Sequence, residues 1–278
     1  MENKNLQVIS NGYGKTDFKV LIKREGHEFV ELEVDLYFEG DFEDVYLHGD
    51  NSLILPTDTM RQHAYVLIQT QGYRDPSEFA LVLIEQILHA MPAAKLGNAV
   101  TREQFWTREK GSVSGSLIRR KSPFETHVRC DVNGIRNFGA GCEINIMRSS
   151  GSSFSGFLRD GLTRQSDSPD RILAGRLEAA WDYVSQPTDS NYLHKAVRRD
   201  LIELFSTVNS RSAQENLYHV ASQLLSEKQE LREISLTFHS TPVGVVESAR
   251  GEESDDRSMY SIIVSPIGIS EVSLKRIV

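Results

Sequence analysis

Hydrophobic and polar positions follow two rhythms along the chain. From Phe29 to Phe38, Val30, Leu32, Val34, Leu36 and Phe38 alternate with Glu31, Glu33, Asp35 and Tyr37. That is the period of a strand with one dry and one wet face. A strand over Asp17–Lys23 precedes it, joined through Arg24-Glu25-Gly26-His27, a short Gly-containing connection of the kind hairpins use. The spacing then becomes helical. One helix is predicted after Thr57, carrying Met60, Ala64, Tyr65, Leu67 and Ile68. A second is capped by Asp75, with Pro76 at the first helical position, Glu78 closing a capping box, and Phe79, Leu83, Ile84, Ile87, Leu88 and Met91 on its apolar face. Strands are expected around Ala99–Thr107 and Phe124–Asp131, with the Ser/Gly loop Gly111–Ser116 between them.

The same order then recurs. Strands are expected around Glu143–Arg148 and Ile172–Val184, followed by two helices. The first carries Tyr192, Leu193, Val197, Leu201, Leu204 and Phe205; the second is capped by Ser212, with Glu215 three residues on, and buries Leu217, Val220, Ala221, Leu224 and Leu225. The last strands are expected around Leu231–His239 and Ser258–Val272. The chain therefore reads ββααββ twice, as units 1–138 and 139–278, with the divide in the Gly/Asn-containing stretch Asn133–Gly141. Runs of strands followed by paired helices imply an α+β fold, with antiparallel sheets and helices segregated to one face. Two such sheets leave an uncovered face and open strand edges, and association into a closed ring or barrel would solve both. An oligomer is expected on this ground alone.

Composition narrows the class. The 278 residues are 39% hydrophobic and 25% charged with a formal net charge of −8, the balance of a soluble globular protein with dispersed acidic residues rather than a binder of nucleic acid or anionic membrane. Two cysteines, Cys130 and Cys142, without a CxxC, argue against disulfide frameworks and cysteine-based zinc sites. The N-terminal MENKNLQVIS has no apolar core of the signal-peptide kind, and nothing approaches 18 apolar residues in a row. The terminal KRIV is not the SKL peroxisomal address. A soluble, cytoplasmic protein is expected.

The stretch that concentrates chemistry is Asp50–Thr59, DNSLILPTDT. The apolar run Leu53-Ile54-Leu55 stops at Pro56, and Thr57 and Asp58 follow where a helix begins. Backbone N–H groups, a hydroxyl and a carboxylate meet there, a natural docking point for polar or anionic ligands. Read alone, Thr57 is a helix cap.

Longer segments resemble urate oxidase, the uricase family: Tyr13–Lys15 (YGK), His27–Thr59, Gly156–Leu173 (GFLRDGLT…SPDRIL) and Pro266–Arg276 (PIGISEVSLKR), in collinear order over nearly the whole chain. The resemblance implies the tunnelling fold, in which two ββααββ units per subunit assemble into a homotetramer around a barrel-like tunnel, with active sites between subunits. It implies purine metabolism, no metal and no organic cofactor, and oxidation of urate by O₂ to 5-hydroxyisourate with release of H₂O₂. Carried over residue by residue, the purine would stack on Phe154, Arg171 would grip its edge, Gln214 would hydrogen-bond the opposite edge, and Ala213, where many members have valine, would offer its backbone N–H. From a neighbouring subunit Thr57 would meet ligand and dioxygen, with Asp58 beside it and Lys15 completing a proton relay. Urate is planar and anionic, so a planar donor fork, an aromatic face and a helix N-terminus after Ser212 suit it.

One segment departs from the pattern. The family carries Asn-x-His in a segment like SLPNKH, where the asparagine holds dioxygen or water above the purine and the histidine ends the relay. Here the chain reads Ser235-Leu236-Thr237-Phe238-His239-Ser240. An ungapped alignment puts Phe238 and Ser240 at the two positions; a one-residue deletion puts Thr237 and His239 there. Ile234, Leu236 and Phe238 continue one apolar face, which favours the second alignment. The asparagine is absent in both. Urate oxidation is thus the leading expectation. Two alternatives are a uricase-like enzyme redirected to another purine- or pteridine-type substrate in specialised metabolism, and a catalytically silent ligand binder. The remaining histidines show no HxH or HExxH spacing.

Overall fold

A computed structural model describes residues 7–24, 28–108, 116–119, 124–245, 260–262 and 266–277. The expected connection residues 25–27, most of the loop Gly111–Ser116 and part of the expected strand Ser258–Val272 lie outside them. The chain packs as two compact units. The first comprises the described residues through Gly141 with Asp182–His194; the second comprises Cys142–Trp181 and the described residues from Lys195 onward.

In the first unit, β1 (Gly12–Lys23) and β2 (Phe29–Gly40) form the predicted hairpin and extend beyond its expected ends. A short helix α1 (Glu43–His48) follows; it buries no residue, so it left no periodic signature in the sequence. Then come α2 (Thr57–Gln71), α3 (Pro76–Ala90), β3 (Ala94–Thr107), the two-residue β4 (Ile118–Arg119), β5 (Phe124–Asp131) and the start of β6 (Arg136–Arg148). All pairings are antiparallel, in the order β1-β2-β3-β5-β6 with β4 on β3. The alternation read from β2 is the core: Val30, Leu32, Val34, Leu36 and Phe38 are fully buried, as are Met60 and Ala64 of α2 and Leu83, Ile84 and Ile87 of α3. The wet face holds an ion network. Arg102 bonds Glu125 at 2.7 Å, Asp35 at 2.7 Å and Glu33 at 3.1 Å, and Lys19 meets Glu33 at 2.9 Å.

Asp75 caps α3 as predicted, accepting from Ser77 N at 2.8 Å and Glu78 N at 3.1 Å. It also does something the local sequence did not reveal. Its other oxygen accepts from the backbone N–H of Ser190 at 2.7 Å, so one carboxylate ties down the first residue of α4 (Ser190–Thr207) as well.

The second unit contains the end of β6, then β7 (Leu173–Tyr183), most of α4, α5 (Ala213–Glu227), β8 (Leu231–Thr241), β9 (Val243–Val245), β10 (Tyr260–Ile262) and β11 (Gly268–Lys275). Its order is β6-β7-β8-β11, with β9 and β10 as a separate antiparallel pair. The expected last strand is therefore two strands with different partners. Pro266, which has no N–H to give to a ladder, stands between them. Ile234, Leu236 and Phe238 are fully buried, and Phe238 packs on Phe205 of α4 with ring centroids 5.4 Å apart. Thr237 and His239 accordingly share the face away from the helices, as the alternation predicts. Among the described strands, β1 pairs only with β2 and β11 only with β8, so the sheet is not closed within one chain.

Candidate active site

The candidate residues fall into two groups, one in each unit. In the first unit they gather where β1 meets the start of α2. Pro56, not Thr57, is the N-cap of α2, and its extended ψ of 139° makes no side-chain cap bond. Thr57 is thus the first helical residue, and its hydroxyl is not used as a cap. Asp58 is exposed and pairs with Arg61 one turn on. The turn is held by Tyr13, whose hydroxyl donates to the Leu55 carbonyl at 2.8 Å and accepts from the Leu55 N–H at 2.8 Å. Burial raises the Tyr13 pKa. The Tyr13 ring also meets Phe42 edge-on at 5.2 Å.

Lys15 lies two residues beyond Tyr13 on β1 and so shares its face, while Leu55 lies two residues before Thr57. The Tyr13–Leu55 clamp therefore couples the segments that carry Lys15 and Thr57. A β-bulge follows at once. Lys15 pairs with Leu36, but Phe18 already pairs with Val34. Asp17 takes a left-handed φ of 55° and donates its N–H to Asp35 Oδ1 at 2.7 Å. The extra residue is why Tyr13 and Lys15 can point to the same side as Phe18, an odd step later.

In the second unit, backbone bonds bring three segments together. Phe154 and Ser168 exchange N–H···O bonds of 2.8 and 2.9 Å; Arg171 N donates to Ser152 O at 2.7 Å; Ser153 N donates to Ser210 O at 2.9 Å. Ser210 precedes the α5 cap by two residues, and Ser212 accepts from Glu215 N at 3.0 Å. Ala213 and Gln214 are therefore the first two helical residues, Ala213 buried and Gln214 exposed. The Arg171 guanidinium carbon sits 5.0 Å from the centre of the half-buried Phe154 ring, which also stacks on Phe157 at 4.9 Å. Arg171 Nε is buried with no partner among the described residues. Burial pushes its pKa down, though a guanidinium stays charged. The structural ion pairs open to Arg171 are not made. Asp170 accepts from Ser152 N at 3.2 Å, and Asp167 pairs with Arg159 at 3.1 Å.

On β8 of the same unit, His239 faces away from the helices beside Thr237, at 17% side-chain exposure. Its Nε2 lies 3.2 Å from Glu178 Oε1 on β7, close enough for an ion pair but off the line of a hydrogen bond. Gly175 of β7 passes so near β8 that a Cβ there would lie 2.2 Å from the His239 carbonyl oxygen. Among the described residues no three His, Cys, Asp or Glu side chains are grouped to hold a metal ion.

Two residues in these constellations escaped the sequence reading. Tyr13 enters the sequence reading only within the YGK motif, although its two-residue spacing from Lys15 places both on one strand face. Glu178 had no local signal, because only the pairing of β7 with β8 brings it to His239.

Antiparallel sheets with paired helices, the Arg171–Phe154 pair held near the start of α5, and the Tyr13–Leu55 clamp before Thr57 together define a class: an antiparallel α+β fold with a group of candidate site residues in each unit. Comparison with known proteins is specific. The uricase family model matches residues 11–113 and 142–267, and the chain belongs to that family. It is 25% identical to the uricase of Dictyostelium discoideum over 291 aligned positions, spanning 97% of each chain. It is 27% identical to that of Arthrobacter globiformis, covering 96% of this chain and 89% of the relative, and 28% identical to that of Danio rerio, covering 96% and 94%. The crystal structure of the Arthrobacter globiformis uricase superposes with a TM-score of 0.91 at 24% identity, over 98% of this chain and 95% of that one, which shows the shared fold. The family's members are cofactor-free oxidoreductases, and this chain is an enzyme of that class.

Proposed function

We propose that the protein oxidises urate with O₂ and water to 5-hydroxyisourate and H₂O₂, in sites shared between copies of the chain in a homotetramer. The observation that carries this reading is Arg171: a guanidinium beside the Phe154 ring, with a buried Nε that no described residue satisfies. A buried donor without a partner marks a place for a ligand acceptor. The urate anion supplies one on a flat carbonyl edge, and Phe154 supplies an aromatic surface for its ring. The opposite edge is met by the Gln214 side chain and the Ala213 N–H at the start of α5, where the helix dipole favours negative charge.

Thr57 and Lys15 of a neighbouring copy move the protons. Lysine donating toward the threonine hydroxyl polarises it, and His239 completes the relay. Urate gives up two electrons to O₂, water supplies the hydroxyl added to the ring, and two protons leave with the peroxide. Thr237, where the family has asparagine, takes the role of holding water or dioxygen, with a shorter reach. Thr57 supports this reading because Pro56, not Thr57, occupies the cap position.

The test is to mix purified protein with urate in air and follow the urate ultraviolet band, O₂ uptake and H₂O₂ together. One urate lost per O₂ consumed and per H₂O₂ formed is expected. Tight urate binding without turnover would refute the reaction, and no binding would refute the substrate.

A further inference from the structure

Resting on the urate-oxidising reading, we infer that Glu178 is a positioning residue for His239, holding the imidazole so that its Nδ1 edge is the proton acceptor of the relay. The residues form a row on the face of the second unit away from its helices. Glu178 Oε1 lies 3.2 Å from His239 Nε2, Arg176 meets the same carboxylate oxygen at 2.8 Å, and Glu143 meets Arg176 at 3.6 Å. They come from β6, β7 and β8, with buried Leu177, Ala179, Leu236 and Phe238 facing the other way. The close passage of Gly175 beneath the His239 carbonyl fixes the strand spacing at this point.

A carboxylate at one ring nitrogen of a histidine selects the tautomer: the proton stays on the nitrogen it faces, and the other nitrogen becomes the acceptor. Here Nε2 faces Glu178, which leaves Nδ1 free to take a proton. The pair is at bonding distance but off line, so a side-chain rotation is enough to close it, as catalytic hydrogen bonds often tighten only in the loaded enzyme. Arg176 holds the same oxygen of Glu178 at 2.8 Å, so the carboxylate is itself oriented. None of this is visible in the segment around His239, where the family's asparagine is missing.

The experiment combines kinetics with a readout that needs no turnover. In Glu178→Ala, kcat on urate should fall about tenfold with KM nearly unchanged, the low end of the scale seen when the carboxylate partner of a metal-bound histidine is removed. Glu178→Asp should recover part of the loss. In the His239→Ala background, Glu178→Ala should cost nothing further, because its effect passes through the ring; an undiminished second loss would overturn the proposal. Imidazole ¹⁵N spectra of histidine-labelled protein, assigned with His239→Ala, should show the His239 tautomer populations shift in Glu178→Ala but not in Glu178→Asp. An unchanged His239 signal would overturn the proposal even if the wild type failed to oxidise urate, an outcome that would separately refute the functional reading.

Discussion

Replacing Tyr13 by Phe isolates one atom that joins β1 to the turn before Thr57. Phenylalanine keeps the ring and its edge-on contact with Phe42 at 5.2 Å. It removes a hydroxyl that satisfies both the N–H and the C=O of Leu55 at 2.8 Å each. A hydrogen bond of this kind contributes about 0.5–1.5 kcal/mol net, so two would be worth about 1–3 kcal/mol. The site is half-buried, and water can partly replace the hydroxyl, which places the loss in the lower part of that range, about 1–2 kcal/mol. The strand and the helix remain intact; what loosens is the connection through Leu55. Amide exchange at Leu55 should therefore speed up about 5- to 30-fold, while the centre of α3 stays protected. Under the proposed role of Thr57, turnover of urate should fall with it, because Thr57 lies two residues beyond the freed backbone and small misplacements of catalytic groups are expensive. The checks are hydrogen exchange read by mass spectrometry and steady-state kinetics. Unchanged exchange at Leu55 would show that the hydroxyl is not the clamp, and faster exchange with full activity would show that the clamp does not position the catalytic segment.

Other consequences are as direct. Burial holds the His194 imidazole neutral, pushing its pKa down to about 4 from an ordinary 6.5. The unfolded chain therefore takes up a proton that the folded one refuses, so stability falls as pH drops from 6.5 toward 4, by up to about 3 kcal/mol; a urea-unfolding series over that window checks it, and a folded-state His194 titration near 6.5 would contradict it. Asp75→Ala removes the cap of α3 and the acceptor of the Ser190 N–H at the start of α4 at once, while Asp189 still caps α4, and should lower stability by about 2–3 kcal/mol in urea unfolding. Gly175→Ala places a Cβ 2.2 Å from the His239 carbonyl oxygen, which should cost about 1–3 kcal/mol of stability and, under the proposed relay role of His239, depress turnover by forcing β7 and β8 apart beside it.

Much of the fold was legible because it rests on local chemistry. The alternation in β2, the Asp75-Pro76 cap, the Ser212 cap and the face of β8 that carries Thr237 and His239 are all read within a dozen residues, and each is where the pattern places it. What could not be read depends on partners distant in sequence. The bulge after Lys15 needs Asp35 across the hairpin to catch the Asp17 N–H. The tie on α4 needs Asp75 from 115 positions away. The clamp on Leu55 needs Tyr13, 42 positions earlier. Glu178 meets His239 only because β7 and β8 are neighbours. The helix α1 has no buried face, so no periodicity could announce it. The candidate site shows the same division: residue types and helix starts were readable, while the contacts that orient them were not.

The proposed site splits its residues between copies of the chain, and subunit mixing tests that arrangement most directly. Thr57→Ala and Arg171→Ala are each expected to be inactive alone. Co-expressed with different affinity tags and purified through both, mixed assemblies contain some sites that pair the intact Arg171 group of one copy with the intact Thr57 group of another. Random pairing restores about one site in four, so urate oxidation should return to about a quarter of the wild-type rate. Mixed assemblies that stay as inactive as either parent would contradict a site shared between copies.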